Sequence, residues 1–233
     1  MKIITQVLIV ICALLFTNLA SAQSPTADQG TQPTKQDAIK ILFIGNSHLL
    51  VKNVPVQVRG ILLKTHRGIS IRSMAVGGAR LSHFAGRSDV AAALKTTKWD
   101  VVVLQEASVS FLTAQGRSTF HKSVNWFIRQ LRPETRVVLY QTWPWRTGSG
   151  FYGARQFNEK TMWAAMRNEY QKIAQRKRLV IAPVGRCWVQ SPRKAAYYSS
   201  DGNHASSAGA RFAARVLAKS IAKIIADGQQ VDC

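Results

Sequence analysis

Ile41-Leu42-Phe43-Ile44-Gly45-Asn46-Ser47-His48-Leu49-Leu50 is the stretch whose reading decides the fold. Its first four residues are an unbroken apolar run, the character of a strand buried on both faces of a parallel sheet. Gly45 then lets the backbone turn sharply and leaves Ser47 at the C-terminal end of that strand. Open α/β sheets place their ligands at this edge. A serine there acts as a nucleophile when a base reaches it, or simply caps the next segment. The other end of the chain offers a base in Asp201-Gly202-Asn203-His204, just ahead of the last periodic apolar segment.

Working outward, Lys40–Ile44, Ile69–Met74, Asp100–Gln105, Arg136–Gln141 and Leu179–Pro183 read as five strands. Apolar residues at helical spacing fill the intervals. Helices are expected from Asn53 through Arg67, from Ser88, from about Ser118 to Leu131, from about Arg155 to Arg176, and from Ser206 to Asp227 with Gly228 as its stop. Strands alternating with helices predict an α/β fold: a five-stranded parallel sheet in a three-layer α/β/α sandwich with right-handed crossovers. Three loops are longer than turns require, after the third, fourth and fifth strands. They carry Trp143-Pro144-Trp145, Phe151-Tyr152 and the run Cys187–Ser200, all emerging at the edge that holds Ser47.

The chain has 233 residues, 46% of them hydrophobic, enough for one buried domain. Met1-Lys2, the apolar run Val7–Phe16 and Ala20-Ser21-Ala22 have the form of a signal peptide over 1–22, cut near Ala22. The expectation is an exported protein, periplasmic or secreted. The apolar run is too short for a stable membrane span. Polar residues 23–36 read as a disordered linker, 37–228 as the domain, and 229–233 as a tail.

Cys12 leaves with the signal peptide, and Cys187 and Cys233 remain as either a disulfide or two thiols. The formal charge is +21, and +20 once Lys2 is removed. Such a charge serves general solubility or attracts anionic partners. With no nucleic-acid motif present, the expected partners are anionic polysaccharide, cell wall or lipid headgroups rather than nucleic acid. No H-x-x-x-H or C-x-x-C spacing points to a metal, and no cofactor is expected. The oligomeric state is left open.

Gly45-Asn46-Ser47, Gly77-Gly78-Ala79-Arg80-Leu81, a polar residue after the third strand and the late Asp201-x-x-His204, in that order, resemble the SGNH (GDSL-like) hydrolase family. The resemblance covers most of the mature chain and implies that family's flavodoxin-like fold. Where the family usually has Gly-Asp-Ser, this chain has Gly45-Asn46-Ser47. Where most members carry G-x-N-D, it has Leu104-Gln105-Glu106-Ala107-Ser108. That block looks like a Gln-containing subset that includes some carbohydrate acetylesterases.

The resemblance implies Ser47 as nucleophile, His204 as its base and Asp201 as the partner of the imidazole. It implies an oxyanion hole from the backbone N–H groups of Ser47 and Gly78, with the Gln105 amide reaching the oxyanion or only propping the loop. Glu106 either binds substrate hydroxyls or anchors an arginine. Trp143, Trp145, Phe151 and Tyr152 either stack on sugar rings or pack their loop down. His48 is expected to point away from the site, and His66, His83 and His121 to be solvated. The leading expectation is a serine esterase removing short acyl groups, acetyl above all, from a carbohydrate or cell-wall polymer. A carbohydrate O-acyltransferase, a lipase or lysophospholipase, and a basic glycan-binding module are the alternatives.

Overall fold

The strands form where the apolar runs are unbroken. In the computed structural model, which describes residues 38–153, 157–227 and 232–233, they are β1 (Ile39–Gly45), β2 (Ile69–Ala75), β3 (Val101–Leu104), β4 (Arg136–Tyr140) and β5 (Val180–Ala182). All neighbouring pairs are parallel, in the order β2-β1-β3-β4-β5. The expected signal peptide over 1–22, the linker over 23–36, the stop at Gly228 and most of the tail lie outside the described residues.

Successive side chains on a strand point to opposite faces, so each strand feeds two cores. Ile41, Phe43, Val101, Val103, Val138 and Tyr140 pack with α2 (Val54–Leu62) and α8 (Ser207–Ala226). Leu42, Ile44, Val102, Leu104, Val137 and Leu139 pack with α3 (Ser88–Thr96), α4 (Ala114–Gln130) and α5 (Glu159–Lys177). Each fully buried aliphatic or aromatic side chain contributes about 1.5–3 kcal/mol, and these strand residues are almost all fully buried. No described helix is long and apolar enough to cross a membrane.

The strand order is the flavodoxin-like one. From β1 the chain crosses to β2 on one side, then returns to β3 on the other. Ligands bind at such a reversal, where neighbouring connections leave in opposite directions and open a crevice. Strands β1, β2 and β3 all end there, aligned by the register Gly45↔Ala75 and Ile44↔Leu104.

Several element bounds differ from expectation. The nucleophile segment itself forms a one-turn helix, α1 (Ser47–Leu50). Helix α2 stops at Leu62, because the polar run after it leads into Gly68 at φ +73°. Helix α4 starts earlier than expected because Thr113 caps it, accepting from Gly116 N at 3.0 Å. The segment expected as a loop after β5 holds two short helices, α6 (Val184–Gln190) and α7 (Lys194–Tyr197). Cys187, on α6, is bonded to Cys233 with Cα atoms 5.3 Å apart, inside the span a disulfide requires. Of the two states left open for these cysteines, the structure has the bond.

Candidate active site

Asn46 decides what Ser47 is free to do. Its Oδ1 accepts from His48 N at 3.1 Å and caps α1. The serine hydroxyl is thereby released from capping. Ser47 Oγ instead lies 2.8 Å from His204 Nε2, across a sequence separation of 157 residues. Asn46 Nδ2 also donates to Ala79 O at 2.9 Å. An aspartate, usual at this position in the family, would cap α1 but has no N–H for Ala79.

Asp201 completes the set. Its Oδ2 is 2.5 Å from His204 Nδ1, and its Oδ1 accepts from the backbone N–H groups of Asn203 at 2.9 Å and His204 at 3.0 Å. One carboxylate therefore shapes the turn and orients the ring. With the Nδ1 proton directed at Asp201, Nε2 is left as the acceptor facing Ser47. Burial pushes Asp201 up. Its hydrogen bonds to the imidazole and the two N–H groups outweigh this and hold it below the usual carboxylate range. The histidine backbone is fixed by a short antiparallel bridge, Tyr198↔Ala205. Ser199 N donates to His204 O at 2.8 Å, and Ser206 N to Tyr197 O at 2.7 Å.

Ser47 opens onto a cavity of about 230 Å³. Its walls include Gly78, Ala107, Val109, Trp145 and Phe151. Gly78 sits at φ +71°, a left-handed conformation that favours glycine. Among the described residues, the backbone N–H groups of Ser47 and Gly78 donate to no acceptor. They are two donors beside the nucleophile, the arrangement an oxyanion hole needs.

Gln105 does not join them. It is fully buried: its Oε1 accepts from Asn46 N at 2.8 Å, and its Nε2 donates to Glu106 O at 2.6 Å. Of the two roles read for it, the structure has the prop. Gly45 makes the prop possible, since a Cβ there would fall 2.4 Å from Gln105 Oε1.

Among the described residues, Glu106 neither lines the cavity nor forms an ion pair with an arginine. It is 1% exposed and accepts from Leu81 N, Ala107 N and Ser110 Oγ. Trp143 is also withdrawn from substrate: it is fully buried, stacks on Trp188 at 3.8 Å, and donates its Nε1 to Asn203 O. Tyr152 donates its hydroxyl to Trp145 O at 2.6 Å and packs its loop down. Of the aromatic residues read as substrate contacts, Trp145 and Phe151 line the cavity.

The ring of His48 turns toward the site rather than away. It lines the cavity, meets Trp143 edge-on at 5.0 Å, and lies 5.6 Å from the His204 ring. Burial, helped by the charge of His204, pushes its pKa down to about 3, so it adds no positive charge beside the base. His121 is not solvated either; it binds Glu169 through Nε2 at 2.8 Å. Adjacency to Ser47 was the one sequence signal for His48. Among the described residues, no group of His, Cys, Asp and Glu is arranged to hold a metal ion.

Neither a protein-family model nor a curated protein sequence matches the chain. Solved structures do. A protein of Slackia heliotrinireducens assigned to the SGNH hydrolases is 28% identical, with a TM-score of 0.70 over 79% of this chain and 99% of its own. A lipase/acylhydrolase of Enterococcus faecalis is 16% identical, with a TM-score of 0.61 over 78% of this chain and 94% of its own. A variant of an acetyl-xylooligosaccharide esterase from Geobacillus is also 16% identical, with a TM-score of 0.58 over 78% and 94%. The last two share the fold. The likeness to the first marks the chain as similar to the SGNH/GDSL-like hydrolases, which are by class carboxylic ester hydrolases.

Proposed function

We propose that the protein is an exported serine esterase that removes short acyl groups, acetyl above all, from a carbohydrate or cell-wall polymer. The observation that carries this reading is the continuous chain of hydrogen bonds Ser47–His204–Asp201, opening onto a small cavity with mainly apolar walls. His204 Nε2 takes the proton of Ser47 Oγ as the oxygen attacks the ester carbonyl. Asp201 holds the imidazolium that forms. The tetrahedral oxyanion is met by the N–H groups of Ser47 and Gly78. The tetrahedral centre collapses to an acyl-serine as His204 returns the proton to the leaving alcohol. Water, deprotonated by the same nitrogen, then releases the acid.

Acyl size follows from the walls. About 230 Å³ is below the usual range of drug-sized pockets, and Trp145 and Phe151 bound it. A short acyl group fits such a space, whereas a long chain needs an open apolar groove. Export is supported by the signal-like first 22 residues and by the Cys187–Cys233 bond, a feature of oxidising compartments. The positive charge favours an anionic polymer as the carrier of the ester.

Hydrolysis of p-nitrophenyl acetate, butyrate and octanoate by wild type and Ser47→Ala tests the reading. Activity should fall with chain length and vanish in the variant. A preference for octanoate would favour a lipid substrate, and inactivity on all three would refute the esterase.

A further inference from the structure

Glu106 is a buried carboxylate that the mechanism above does not use. Its three donors come from two different loops. Oε1 accepts from Ala107 N at 2.8 Å and Ser110 Oγ at 2.9 Å, both in the segment after β3. Oε2 accepts from Leu81 N at 3.3 Å, three residues beyond Gly78. The Gly78 loop is held from its other side by Asn46 Nδ2 on Ala79 O, and Asn46 N is held by Gln105 Oε1. The nucleophile turn, the Gly78 loop and the β3 loop are thus each tied to the other two. Asn46, Gln105, Glu106 and Ser110 are all at most 2% exposed.

We propose that Glu106 is a positioning residue of the oxyanion site, its ionised carboxylate holding the Gly78 loop against the loop that follows β3. The inference rests on the esterase reading, since it concerns where the Gly78 N–H stands when the oxyanion forms.

The chemistry of the tie depends on a proton. An ionised carboxylate only accepts, and all three facing groups donate. A protonated Glu106 turns one oxygen into a donor that faces another donor, so one tie is lost. Two titratable groups face Glu106: Arg80 from the Gly78 loop, whose charge favours the ionised form, and Tyr170 from α5. Burial outweighs Arg80 and the three hydrogen bonds and pushes Glu106 up to about 7. Near neutral pH the tie therefore changes state. Below that pH the Gly78 donor loosens, so this protonation steepens the acid limb that general-base catalysis gives in any case.

The test is the pH dependence of kcat/KM on p-nitrophenyl acetate, which reports groups of the free enzyme. Wild type should fall toward acid with a logarithmic slope above one, approaching about two. Glu106→Gln should fall with a slope of about one, and at alkaline pH should lose about 10- to 100-fold in kcat with little change in KM. Ser110→Ala removes one donor that favours the ionised form, so its acid limb should move to higher pH. This lighter variant serves if Glu106→Gln does not fold. A wild-type slope of one, an unchanged slope in Glu106→Gln, or an unmoved limb in Ser110→Ala overturns the inference. So does a rise in KM with kcat unchanged, which would mark Glu106 as a substrate contact. Ser47-dependent activity with a single protonation sinks this inference alone, whereas a wild type inactive on every ester sinks the esterase reading beneath it.

Discussion

Two carboxylates stand behind the site, and their surroundings drive them in opposite directions. Asp201, at the histidine end, is partly exposed, and its hydrogen bonds hold it below the usual range. Glu106, at the glycine end, is 1% exposed, and burial lifts it to about 7. In the proposed mechanism Asp201 meets the charge that develops on His204, a role that requires it ionised. The hydrogen bonds of the Glu106 carboxylate come from backbone N–H groups and a hydroxyl, so it serves as an acceptor in a brace. The same functional group becomes electrostatic partner or scaffold according to how much water and how many donors it keeps.

The largest expected difference lies in rate. Asp201→Asn leaves His204 without a charged partner and should cost about 10⁴-fold in kcat, the order seen when a triad aspartate is replaced. That is at least about a hundredfold beyond the loss expected of Glu106→Gln. Equal losses, measured on the same ester, would break the contrast between partner and scaffold.

The next difference is in stability against pH. For Glu106 the ordinary value is 4.5 and the folded value about 7, so folding takes up a proton between them. Its contribution to stability therefore falls as pH rises through that window, by up to about 3 kcal/mol. Asp201 runs the other way: its contribution is present above its ordinary value of 3.8 and is lost as pH falls through its lower folded value. Urea unfolding between pH 5 and pH 8 (roughly the window of the Glu106 effect) should show wild type losing stability with rising pH relative to Glu106→Gln, while buried His48, whose lowered pKa acts in the opposite direction, contributes alike to both. A slope unaffected by the substitution would mean that Glu106 is ionised throughout.

Gln105→Leu removes the acceptor for Asn46 N in a buried site. It should cost about 1–3 kcal/mol of stability and about tenfold in kcat. The smallest effect is expected at the cavity wall. Phe151→Ala should raise the butyrate-to-acetate ratio about threefold to tenfold, the worth of one or two methylenes of added room. An unchanged ratio would remove Phe151 from the acyl wall.

Much of this arrangement was legible in the sequence, for physical reasons. Ile41–Ile44 and Val101–Leu104 are buried on both faces, so their apolar runs are continuous and read as strands. Asp201 and His204 are three residues apart on one turn, so their pairing is local. Side-chain direction at the strand ends was not legible. Gln105 and Glu106 carry amide and carboxylate groups fit for substrate, yet both turn inward, where each accepts from a backbone N–H of another loop, Asn46 and Leu81. Trp143 and Trp145 are two residues apart, yet one stacks on Trp188 and the other reaches the cavity. Helices α6 and α7 span two turns or fewer, too short to show a helical period.

Intact-mass and peptide-mapping analysis after exposure to a fluorophosphonate ester tests the central claim most directly. That reagent captures a serine only where a base and oxyanion donors assist it. One adduct per chain is expected, mapped to Ser47, absent from Ser47→Ala and formed far more slowly by His204→Ala. An adduct on another serine, or labelling of Ser47 at the same rate without His204, would contradict it.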